Sequence, residues 1–176
     1  MAEKRKRILQ TIQEKDGTYR YTGDYYRLRQ EEASGKGRMT VPVILYLLTA
    51  APVIISGCID ASVAYAAFYV ILPFVGEVSA LFILTWNFVK LVFHSRKIRS
   101  YVLDQAESRI PGAAVVLCGF ALAGLLLSLA FLFRNGTGGK PAASILYPVC
   151  KCLTALLALG FRKSFLGLEW ERTDPS

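Results

Sequence analysis

Apolar and polar residues fall in long blocks along this chain, with neither the two-residue alternation of strands nor the single stripe of a surface helix. Four apolar runs, 40–59, 61–93, 110–133 and 142–161, are separated by short polar links. A polar, basic segment, 1–38, precedes them, and a tail, 162–176, follows. A run of about 20 apolar residues makes about 30 Å of helix, the thickness of a bilayer's hydrocarbon core. The pattern predicts an all-α membrane protein: a bundle of four transmembrane helices, 39–161, crossing the bilayer four times.

Each run carries its own irregularity. The first, 40–59, ends at Asp60. The second, 61–93, would be about 50 Å long as one helix, so it must tilt, protrude or kink, and Pro73 with Gly76 marks the expected kink. The third, 110–133, has no charge, and Pro111 stands where a helix-start proline belongs. The fourth, 142–161, carries Lys151 near its middle. Pro42, Pro52 and Pro148 add further candidate breaks.

Charge decides orientation. Of the 21 Lys and Arg, ten precede residue 40, four lie in the link 94–109 and three in the C-terminal tail. Short cytoplasmic loops retain such residues, which predicts both termini in the cytoplasm and a plasma (inner) membrane location. A rival topology bends 61–93 into a re-entrant hairpin at Pro73 and puts the basic link outside, against the charge bias. The polar lead of about 38 residues is far longer than a signal-peptide n-region, so the first span is expected to act as an uncleaved anchor.

The cytoplasmic parts carry signals of their own. Gly23-Asp24 lies between short Tyr- and Thr-rich runs, a hairpin signal, and Asp16-Gly17 is a second turn. Together they predict a β-hairpin or a three-stranded meander over residues 5–29, too small to be stable without something to pack on. In the link, Ile98, Tyr101, Val102 and Gln105 recur at helical spacing. They predict a cytoplasmic extension of the second helix that stops before Pro111. Lys4, Arg5, Lys6 and Arg7 suit anionic lipid headgroups, each worth about 1 kcal/mol near the surface. A nucleic-acid role is not expected, since topology alone demands a basic tail next to a span.

Composition narrows the chemistry. With 176 residues, net charge +8, 53% hydrophobic residues and mean hydropathy +0.38, the chain is neither disordered nor a disulfide framework. His94 is the single His, and the nucleotide, zincin and nucleophile-elbow motifs are absent, so the sequence points away from an enzyme, a metal and a cofactor. Cys150 and Cys152 would sit on opposite sides of a helix and, with Cys58 and Cys118, read as small apolar residues. Asn135-Gly136-Thr137 fits a glycosylation sequon but reads first as a turn. Small residues, Gly119, Ala123 and Ser128 in one span and Ala155, Ala158 and Gly160 in another, suit helix contact within the chain or in a homo-oligomer.

The residues that topology does not explain are Glu77, Lys151 and Asn87. An unpaired charge at midspan costs about 2.5–3.5 kcal/mol. Counted from the run boundaries, Glu77 lies about 24 Å and Lys151 about 14 Å below the outer face, a mismatch of about 10 Å, so spacing alone does not pair them. Asn87 and Lys90 approach the inner boundary with Trp86, where Lys90 is expected to snorkel. Two functions follow. The first is a non-catalytic scaffold or accessory component of a membrane complex, with a protein partner. The alternative is a small oligomeric transporter or channel using Glu77 and Lys151.

Overall fold

A computed structural model describes residues 12–15, 18–21, 25–28, 39–59, 68–93, 98–137 and 141–173. The structure has four long helices: α1 (Thr40–Cys58), α2 (Phe68–Phe93), α3 (Ser100–Asn135) and α4 (Pro141–Leu166). All four are long and apolar enough to span a membrane. Backbone packing runs from α2 to α3, α3 to α4 and α4 to α1, whereas α1 and α2 meet mainly through side chains. Across that seam Tyr46 Oη lies 2.8 Å from Thr85 Oγ1, and the Tyr46 and Phe88 rings are 5.1 Å apart.

Lipid-facing and inward residues separate as a membrane bundle requires. Leu47 and Ile54 of α1, Phe82 of α2, Leu126 of α3 and Leu156 of α4 point outward and are more than half exposed. Leu84, Leu91, Leu117, Ala121, Ala158 and Phe161 fill the interior. The small inward residues of α3 and α4 let the backbones approach. Pro42, Pro52, Pro73, Pro111 and Pro148 are buried, whereas Pro141, the first residue of α4, is exposed. Helix α2 runs unbroken through Pro73, so no re-entrant hairpin forms there.

Two expectations about the link need correction. The stripe is not an extension of α2: Ile98 lies in a two-residue strand, and Tyr101, Val102 and Gln105 lie on α3, which begins at Ser100 and passes through Pro111 without a break. Pro111 has no N–H for the Glu107 carbonyl, but Glu107, Ser108 and Arg109 are all exposed, so water can serve that group. The loss is cheap where water reaches the freed carbonyl and would be costly in a hydrocarbon interior.

The N-terminal segment is half as expected. Strands β1 (Ile12–Lys15) and β2 (Thr18–Tyr21) pair antiparallel with Lys15 opposite Thr18, the hairpin that Asp16-Gly17 signals. The three-stranded meander does not form. Strand β3 (Tyr25–Leu28) pairs instead with β4 (Ile98–Arg99) and β5 (Trp170–Thr173), in the order β4-β3-β5. Tyr26 lies opposite both Ile98 and Arg172. The segments before α1, before α3 and after α4 thus share one sheet at one end of the bundle. Ile98 is fully buried there, with Leu103, Ala106, Phe165 and Leu168, and Tyr26 and Trp170 pack on the same cluster. The amphipathic segments therefore cover each other. The basic run Lys4–Arg7 and His94 lie outside the described residues.

Opposite the sheet, α3 ends as a turn former dictates. Gly136 has φ 70°, and its N–H reaches the Leu132 carbonyl at 2.9 Å. Asn135 turns its side chain back to the Phe131 carbonyl at 3.3 Å.

Candidate functional site

Glu77 and Lys151 meet inside the bundle. Lys151 Nζ donates to Glu77 Oε2 at 2.5 Å, and both side chains are fully buried. The structure brings the two side chains into contact despite the depth mismatch that the run boundaries suggest, and the four-carbon stem of Lys151 gives its ammonium group reach along the bundle.

Each helix contributes to the site. From α1, Ser56 Oγ accepts from Lys151 Nζ at 3.2 Å and itself donates to the Val53 carbonyl at 2.8 Å. Ser56 lies in the last turn of α1, so the ammonium group stands at the negative end of that helix dipole. From α2 the Phe74 ring, and from α4 the Tyr147 ring, lie 4.5 and 4.7 Å from Nζ, within cation–π range. From α3 comes Gly124: a β-carbon built on it would sit 3.6 Å from Glu77 Oε1, from Lys151 Cδ and from Pro73 Cβ.

Satisfaction of the pair is uneven. Lys151 has a carboxylate, a hydroxyl and two ring faces, whereas Glu77 Oε1 has no hydrogen-bond partner among the described residues. A buried acceptor left bare costs about 1–3 kcal/mol, and more when charged.

Asn87 is not part of this site. It lies ten residues further along α2, about 15 Å away, and its side chain donates to the Ile83 carbonyl at 2.7 Å. Lys90 sits 4.6 Å from the Trp86 ring on the same helix. Between Glu77–Lys151 and the sheet, Tyr46, Phe88, Phe161 and Phe165 form a continuous layer of rings with neighbouring centroids 5.1–6.4 Å apart.

Ser56, Phe74, Tyr147 and Gly124 were not singled out as site residues by the sequence. Phe74 lies three residues before Glu77 and Tyr147 four before Lys151, so helical spacing puts each beside its charge. Ser56 and Gly124 carry no comparable signal. Cys150 is buried and Cys152 exposed, as opposite helix faces require, and all four Cys are free thiols. Among the described residues no group of three or more His, Cys, Asp or Glu is placed to hold a metal.

Fold and site together define a class: a bundle of four membrane-capable helices with a buried ion pair at its centre. Comparison with known proteins finds no family model, no curated protein and no solved structure that matches the chain.

Proposed function

We propose that the chain is a multi-pass integral membrane protein with both termini cytoplasmic, acting without catalysis as a scaffold or accessory component of a membrane complex. The observation that carries this is the β4-β3-β5 sheet, which ties together the segments before α1, before α3 and after α4. Such a staple holds the helix ends at that side in one arrangement. Alternating access needs them to rock. The ring layer of Tyr46, Phe88, Phe161 and Phe165 supports the same view, because it fills the bundle between the ion pair and the sheet.

The cytoplasmic side follows from charge, since the segments gathered at the sheet end hold most of the chain's Lys and Arg. On that topology Lys4, Arg5, Lys6 and Arg7 face anionic headgroups. A protein partner would meet the exposed charged ridge of α3, Asp104, Glu107 and Arg109, because the apolar faces are already covered.

Two measurements test the role together. Extraction from native membranes in mild detergent, followed by native mass spectrometry, should recover a heteromer of fixed stoichiometry. Purified protein in liposomes should pass no more protons or monovalent cations than empty vesicles. A solitary species, combined with a flux that Glu77→Gln abolishes, would replace this proposal with the transporter alternative.

A further inference from the structure

The ion pair accounts for one oxygen of Glu77 and leaves the other to be explained. Oε1 is enclosed by protein, carries half of a carboxylate charge, and has no donor among the described residues. It faces α3 at Gly124, where the missing side chain leaves a notch. The β-carbon position there is 3.6 Å from Oε1 and equally far from Pro73 Cβ and Lys151 Cδ. These are ordinary van der Waals distances, so a methyl group would fit without a clash. The absence of a side chain at this point is therefore not demanded by close packing.

We infer that the notch over Gly124 is a binding site for one small hydrogen-bond donor, of water or ammonium size, that bonds Glu77 Oε1. A donor would stand about 2.7–3.2 Å from the oxygen and at van der Waals distance from the Gly124 α-carbon, so it lies beside the β-carbon position and not on it. Buried waters in proteins serve polar groups that have no other partner. An ammonium ion offers the same N–H geometry with a charge added. The inference does not depend on the scaffold reading, because a donor at Oε1 completes the carboxylate whether or not the protein has a partner.

Gly124→Ala gives the test a sign that ordinary considerations would reverse. Alanine favours a helix over glycine, and its methyl group would fill space, so without a bound donor the variant should be as stable as the parent or more so. With a donor there, the methyl group expels it and leaves the carboxylate oxygen against carbon. The expected result is a melting temperature in detergent about 2–4 °C or more below the parent. Gly119→Ala on the same helix, where a β-carbon meets nothing within 4 Å, should not lose stability. In a Glu77→Leu/Lys151→Leu background, which needs no donor, Gly124→Ala should stop being destabilising.

Titration with ammonium chloride against sodium chloride at equal ionic strength separates the two donors. A saturable rise in melting temperature, lost in Gly124→Ala and in Glu77→Gln, assigns the site to ammonium. Equal responses to both salts, with the Gly124→Ala loss intact, assign it to water. Gly124→Ala at or above parental stability in the parent background overturns the inference.

Discussion

Lys151 Nζ stands 2.5 Å from Glu77 Oε2 across 74 residues of sequence, with both side chains sealed from solvent. Such a pair is asymmetric in its energetics. Removing one partner strands a buried charge at about 3–5 kcal/mol, whereas exchanging both for apolar residues of similar volume is often neutral or stabilising. Lys151→Met should therefore lower stability in detergent more than the double variant Glu77→Leu/Lys151→Leu does. Unfolding curves of the three proteins check this, and a double variant worse than the single one would show that the pair contributes net stability.

The α2–α3 interface offers a prediction of a different kind. A β-carbon on Gly76 would lie 2.5 Å from Phe120 Cδ1 and Cε1 and 2.8 Å from Cγ. The last atom is next to the ring's root, so a small rotation cannot clear it. Gly76→Ala should cost about 1–3 kcal/mol through overpacking, despite alanine's better helix propensity. Phe120→Ala in the same chain should recover most of that loss. Gly57, by contrast, meets only the far end of the Phe74 ring, with Cζ at 2.9 Å, and Gly57→Ala should be much milder. Equal losses at the two positions would contradict this account of the two interfaces.

Much of this was legible in the sequence, and what was missed has physical causes. The four spans could be read because apolar length is a local property, and α1 begins at Thr40 as the pattern predicts. Lys151 and Glu77 stood out because charge at midspan has few innocent explanations. Their pairing was obscured because depth counted from the ends of apolar runs ignores the reach of a lysine stem, and no local pattern reports which side chains of two helices meet. Pro111 was read as a helix start because prolines favour that place, yet a helix can run through one where the freed carbonyl is exposed. Strand β3 was assigned to its sequence neighbour because hairpins are local, whereas its partners, Ile98–Arg99 and Trp170–Thr173, lie about 70 and 145 residues away. No local signal reports such pairings.

The orientation proposed for the bundle can be read by labelling. Asp104 is exposed on the α3 ridge, and Asn135 is exposed at the other end of the same helix. With the four native Cys replaced by Ser, a Cys introduced at Asp104 should resist an impermeant thiol reagent in intact cells and react after permeabilisation. A Cys introduced at Asn135 should react in intact cells. The reverse pattern would invert the protein in the membrane and remove the assignment of the sheet to the cytoplasm.

The sheet itself makes a sharper demand, because it requires residues far apart in sequence to face each other. Tyr26 lies opposite Arg172, and Arg27 opposite Glu171. Directly opposed residues of antiparallel strands alternate between Cα separations of about 5.5 and 4.5 Å, both within the range a disulfide can bridge. In a chain otherwise free of Cys, the pairs Tyr26→Cys/Arg172→Cys and Arg27→Cys/Glu171→Cys should cross-link under mild oxidation, giving a faster-migrating monomer on a non-reducing gel. One pair should close more readily, since only one of two neighbouring positions is the narrower. Shifting a single partner by two residues, as in Tyr26→Cys/Asp174→Cys, should weaken closure sharply if the register holds. Failure of both opposed pairs to cross-link would mean that the C-terminal strand does not dock on β3, and the staple that favours a static role for this bundle would be lost.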